Sequence, residues 1–170
     1  MIIKYSQIIH SPVVELKDQT NLGLASDLVI QKSDLTIKAV IIKCGFFSLL
    51  TRVAVASDIV ELNSGSVILN DENSITTLSG ATRINEAIRE KMYGLNQYVG
   101  TKSGKALGQV YDYTIDNSTG AIQKLYLKSL MTDRIIPASA IIKFDGKKIT
   151  IEDDFEIITE LKPEFKPEVA

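Results

Sequence analysis

A chain of 170 residues with one histidine and one cysteine has few routes to side-chain chemistry. His10 stands between Ile9 and the pair Ser11-Pro12 at the entrance to an apolar stretch. A metal site would need further ligands at ligand spacing, and the scattered carboxylates do not supply them, so His10 reads as a surface or edge residue. Cys44 as a nucleophile would need a base and a group to orient that base. Only His10 is available for the first role, and Cys44 reads instead as a small buried hydrophobe. The acidic runs Asp71-Glu72 and Glu152-Asp153-Asp154 lack the loop spacing of a calcium site and read as solvated turns. Gly100-Thr101-Lys102-Ser103-Gly104-Lys105 superficially resembles a phosphate loop, but Ala106 follows Lys105 and a strand, not a helix, comes next. The expectation is therefore no catalytic residue, no metal, no nucleotide and no other cofactor, in a protein that is not an enzyme.

One segment does stand out. Gly45-Phe46-Phe47-Ser48-Leu49-Leu50 places four large apolar side chains where the surrounding pattern predicts a loop, and loops are ordinarily polar. Phe46, Phe47, Leu49 and Leu50 either fold back over a barrel end or form an exposed patch for a protein partner. They are the candidate protein-binding residues.

The elements that would position them repeat. Shifted by 85 positions, Leu16 to Lys43 aligns with Thr101 to Lys128 without a gap, with identities at Lys17/Lys102, Leu22/Leu107, Gly23/Gly108, Asp27/Asp112, Ile30/Ile115, Ser33/Ser118, Ile37/Ile122 and Lys43/Lys128. After a three-residue deletion the match resumes, with Arg52-Val53 facing Arg134-Ile135 and Ala56-Ser57 facing Ala138-Ser139. Each copy reads as short strands separated by turns, such as Asp116-Asn117-Ser118-Thr119-Gly120 and Asp145-Gly146, the latter followed by the alternating run Lys147 to Glu152. Between the copies the period becomes helical: Ile84, Ala87, Ile88 and Met92 share a face within Thr82 to Tyr93, with Ser79 or Thr82 placed to cap it and Gly94 to end it. The organisation predicted is a mainly β protein of two small antiparallel β-barrels in tandem. They occupy residues 1–78 and 95–161, joined by a short amphipathic helix in 79–94, with a flexible tail at 162–170.

A net charge of −2 and a pI near 5.5 argue against a broad phosphate-binding face, so nucleic acid is an unlikely partner. Apolar content of 45% with 24% charged residues is ordinary for a globular core. With one cysteine no internal disulfide can form. Met1 to His10 has neither a signal-length apolar run nor a cleavage site after one. No stretch reaches the roughly 18 apolar residues of a membrane-spanning helix, and a cytoplasmic location is expected.

Leu22-Gly23, Asp27 and Ile30, the segment Cys44 to Leu50, then Arg52-Val53-Ala54-Val55 and Asp58-Ile59 resemble the PRC-barrel family. Leu107-Gly108-Gln109-Val110-Tyr111-Asp112 and Ile136-Pro137-Ala138-Ser139-Ala140-Ile141 resemble it a second time. Two departures are visible: Val55 stands where the family usually has proline, and Ser129-Leu130-Met131-Thr132-Asp133 replaces the Gly-Phe-Phe loop in the second copy. The resemblance implies a fold used in assembly, in photosynthetic reaction-centre subunits, ribosome maturation factors and archaeal division proteins. The function expected is a noncatalytic protein-binding or scaffold module, by a protein partner or by self-association. A ribosome-maturation or RNA-processing-linked factor is the alternative, and an enzyme of unrecognised type the third.

Overall fold

Runs of β-branched and aliphatic residues, broken by turns rich in Gly, Asn and Asp, become short strands. The computed structural model describes residues 1–45, 50–81, 84–90, 92–129 and 132–154, and the backbone of 158–160. In chain order these form β1 (Ile2–Lys4), α1 (Tyr5–Ile8), β2 (Pro12–Glu15), β3 (Asn21–Ile30), β4 (Ile37–Cys44), β5 (Leu50–Val55), β6 (Ile59–Asn63), β7 (Ser66–Leu69), β8 (Ile75–Thr77) and α2 (Asn85–Arg89). There follow β9 (Tyr98–Thr101), β10 (Ala106–Asp116), β11 (Ile122–Lys128), β12 (Asp133–Pro137), β13 (Ile141–Phe144), β14 (Lys148–Ile151) and β15 (Ile158–Glu160).

The strands pair into two sheets. The first runs β6-β7-β2-β3-β4-β5-β8 and the second β13-β14-β9-β10-β11-β12-β15, with β1 added against β10. Element for element the order is the same. The expectation of purely antiparallel sheets is corrected, because β2 pairs with β7, and β9 with β14, in parallel. In each case the chain builds the central hairpin before its last hairpin returns beside the opening strand in the same direction, which supplies the long crossover a parallel pair needs. Both sheets are therefore mixed, and their described pairings run as open paths.

At positions matched in sequence the backbone does the same thing twice. Gly23 and Gly108 both have φ +142, and a Cβ would stand 2.5 Å from the Lys43 carbonyl oxygen at the first and 2.6 Å from the Lys128 carbonyl oxygen at the second. Only glycine tolerates that approach. Register shifts follow in both strands, between Ala25 and Asp27 and between Val110 and Asp112. These bulges turn the outer row of each strand.

The halves meet at their hairpin turns. Thr36 and Ala121, 85 residues apart, form an isolated antiparallel bridge. On either side, Ile37 N donates to Gly120 O at 2.9 Å and Ile122 N donates to Leu35 O at 2.9 Å. Such reciprocal bonds between equivalent residues are what a local twofold axis produces. Because the bridge is antiparallel, the hairpins β3-β4 and β10-β11 point away from it in opposite senses. Their far ends are at Gly23/Lys43 and Gly108/Lys128.

Each half's lead-in segment packs on the other half. β1 precedes the first sheet but pairs with β10, with Ile3 facing Ile115. The stretch after α2 precedes the second sheet, yet the Met92 carbonyl accepts the Ile30 N–H of β3 at 2.7 Å. Ile30 and Ile115 are equivalent positions, so the exchange is reciprocal. It places Ile3, Ile8, Ile30, Ile42, Met92, Tyr113, Ile115 and Leu127 in one continuous buried cluster spanning both sheets.

The linker helix is shorter than the sequence predicts. It covers Asn85–Arg89, with Ile84 at the N-cap and no side-chain cap; Ser79 and Gly94 lie outside it, and Thr82, Arg83 and Lys91 lie outside the described residues. Five residues cannot form a stable helix alone, and this one docks. Ile84, 1% exposed, packs with Ala81 on Val29, Ala39, Ile41 and Val53, the outer face of the first sheet, and Ile88 lies against the same cluster. Met92 leaves that face and enters the main core. Gly94 has φ +77 and lies under Tyr113, where a Cβ would stand 3.2 Å from the ring and 2.7 Å from Ile30 Cδ1.

Candidate binding surfaces at the sheet ends

Polar side chains of α1 link the two sheets. Tyr5 OH donates to Asp27 Oδ1 at 3.0 Å, while Ser6 N and Oγ donate to Asp112 at 3.1 and 2.7 Å. One helical turn, α1, thereby reaches the matched bulge aspartates of both sheets. Tyr5 stacks at 4.8 Å on Tyr113, whose hydroxyl donates to Tyr93 O at 3.3 Å. Burial pushes the Asp27 carboxyl above its usual range, with the Leu28 N–H and Tyr5 hydroxyl acting the other way. Burial also holds the phenols of Tyr5 and Tyr113 far above theirs. Ser6 carries α1 across to the second sheet through Asp112, and the Tyr5 ring on Tyr113 adds an apolar contact between the two sheets.

The residues singled out in sequence are dispersed. His10 is exposed, with φ 67, and its N–H donates to Ala25 O at 2.8 Å. Cys44 is half-buried against the main core; desolvation pushes its thiol up, and Arg52 partly offsets this. Asp71 caps a 3-10 turn through Asn73 N at 2.7 Å. Asp153 accepts from Ser103 Oγ and N at 2.7 and 3.1 Å, contacts that hold its carboxyl below the usual range. Gly100 to Lys105 forms the turn joining β9 to β10: Thr101 N donates to Lys105 O at 2.9 Å and Gly104 N to Thr101 O at 3.0 Å. Phe46, Phe47 and Leu49 lie outside the described residues, and Leu50 alone of the four candidates is placed.

Leu50 opens β5 opposite Cys44 and is 55% exposed. The row Pro12-Leu24-Lys43-Thr51 crosses the same end of the sheet, with Leu24 38% exposed and Lys43 Nζ donating to Thr51 Oγ1 at 2.6 Å. Leu16, just past β2, is half exposed, and its N–H donates to Leu69 O at 2.9 Å. Leu16, Leu24 and Leu50 are thus each open to water near one end of the first sheet, Leu24 in the Lys43–Thr51 row and Leu50 opposite Cys44, on the other face.

The second sheet carries a larger feature at its own far end, one that no single residue type announces. The equivalent row is Tyr98-Gln109-Lys128. Where Gly108 keeps β10 and β11 close, a concavity of about 880 Å³ opens, floored by Val99, Ala106 and Leu107 and rimmed by Lys128, Arg134 and Lys148. Arg134 Nη1 donates to Leu107 O, fixing the guanidinium across the opening. The signal was in the repeat, since Gly23/Gly108, Lys43/Lys128 and Arg52/Arg134 are identical pairs. The concavity at the first end, beside Gly23 and Lys43, is about 390 Å³.

Among the described residues, no group of three or more His, Cys, Asp and Glu side chains could hold a metal ion, and no helix is long and apolar enough to cross a membrane. No protein-family model and no curated protein matches the chain.

Proposed function

We propose that this chain is a noncatalytic binding or assembly module, a tandem of two PRC-barrel-like units fused across a local twofold, that acts in the cytoplasm by engaging a protein partner or a second copy of itself. The observation that carries the reading is the exposure of Leu16, Leu24 and Leu50 near one end of the first sheet, with Leu24 and Leu50 on opposite faces of it. Exposed aliphatic residues scattered singly are ordinary; three near one sheet end, in a chain whose sequence there also carries Phe46, Phe47 and Leu49, support a binding role for that end. The common strand order, the paired glycines and the shared Lys and Arg positions support the tandem.

The test is site-specific photo-crosslinking. A photoreactive residue replacing Leu50 is expected to give defined adducts in the native cell. One replacing Ser33, exposed in the turn at the joint, is expected to give none. Equal labelling from both positions would remove the case for a binding end.

A further inference from the structure

We infer that the concavity at the end of the second sheet is a docking site for an acidic, apolar-containing segment of a protein partner. The inference deepens the binding-module reading and rests on it.

The charge is the first argument. Lys128, Arg134 and Lys148 come from β11, β12 and β14 and line one opening, and no carboxylate lies among its described lining residues. The ion pairs found among the described residues, Lys32–Glu90 and Lys143–Asp145, involve none of the three. On a chain of net charge −2 this is a local reversal of sign, which steers and selects a negative partner. Arg134 has one N–H engaged by Leu107 O; a guanidinium carries five, so donors remain for a carboxylate.

The floor and the loop decide which anion. Ala106 and Tyr98, both exposed, give the opening apolar surface above the buried Val99 and Leu107, and Gly108 bares the backbone because no side chain fits there. A volume of about 880 Å³ accommodates several side chains. A phosphate group is best held by converging backbone N–H groups at a helix N-terminus or nest. Here the adjacent loop has turned those donors inward: Thr101 N and Gly104 N are bonded within the turn, and Lys105 N donates to Thr101 Oγ1 at 3.1 Å. Separated cations over an apolar floor instead match carboxylates interspersed with apolar side chains. At the first end Lys43 is held by Thr51 and the concavity is smaller, so the second end is the site.

The experiment uses the full chain, isotope-labelled, observing the amides of Gly100, Gly104 and Gly108 by NMR. The probes are a peptide alternating Asp with Leu and Phe, its Asn counterpart, inorganic phosphate and a single-stranded RNA oligonucleotide. The acidic peptide is expected to shift the three glycines saturably. Affinity should fall at least tenfold in a Lys128→Glu/Lys148→Glu variant, whose substituted positions are exposed and whose melting should match wild type, and it should weaken with added salt. Equal binding of the Asn peptide, saturation of the same glycines by phosphate or RNA at equal or higher affinity, or no shift from the acidic peptide would each overturn the proposal. Adducts at Leu50 would survive those outcomes, so failure here and failure of the binding-module reading are distinguishable.

Discussion

Asp27 and Asp112 occupy equivalent bulges and differ in what they meet: a phenol on one side, a hydroxyl and a backbone N–H on the other. The folded-state pKa of Asp27 is raised, so the native state favours its protonated form. The destabilisation it contributes is absent below the unfolded value near 3.8, grows as pH rises through the folded value, and is fully present above it. Asp27→Asn keeps an oxygen for Tyr5 OH and Leu28 N without the charge. The difference in melting temperature between Asp27→Asn and wild type should therefore shift in the variant's favour from pH 3 to pH 7; a difference that is flat, or moves the other way, would refute the assignment. Gly108 belongs to the same scale. Gly108→Ala must move a backbone carbonyl, whereas Gly65, also at positive φ, has nothing within 4 Å. Gly108→Ala should cost about 2–4 kcal/mol in urea unfolding and Gly65→Ala about 1. The equivalence of Gly23 and Gly108 was legible in sequence because a backbone demand admits one residue type, and the same comparison pairs Lys43 with Lys128 and Arg52 with Arg134. Their convergence on a concavity was not legible, since it depends on which faces Arg134 and Lys148 reach.

At the level of elements, the matched outer rows explain each other. Val29, Ala39, Ile41 and Val53 form the outer face of the first sheet, and Ile84 with Ala81 covers them. The equivalents in the second sheet are Thr114, Lys124, Tyr126 and Ile135; there Lys4 lies 5.2 Å over the Tyr126 ring, and Tyr111 packs near it at 6.2 Å. A helix covers one face, so that face is aliphatic; the other is polar and aromatic. Ile84→Asp places an unpaired charge in a dry contact and should destabilise by about 3–5 kcal/mol, more than Ile88→Asp at its half-buried position. Equal effects in chemical denaturation would contradict the packing described. The periodicity of Ile84, Ala87 and Ile88 showed that a helix docks here. It overstated the length, because Met92 follows the same spacing for another reason: it belongs to the strand-like contact with Ile30. The parallel pairs were hidden too, since a local alternation of residues carries no information on partner direction.

In the whole molecule, the two sheets cannot separate without breaking pairings in each. Exchange of β1 against β10, and of the Met92 segment against β3, was beyond sequence reading because both are pairings between distant segments of ordinary aliphatic residues. One shared cluster predicts one cooperative unfolding transition, coincident for amide exchange in both sheets; two resolved transitions would show the joint to be weak. The far end of one sheet carries exposed leucines and that of the other a cationic concavity, and the functional account rests on those ends acting in binding. The most direct measurement compares Leu24→Asp/Leu50→Asp with wild type for thermal melting and, at equal concentration, for self-association and retained partners by sedimentation and affinity purification. Both side chains are already open to water, so the account predicts melting within a few degrees of wild type together with loss of association. A variant that keeps every association at wild-type strength would contradict it.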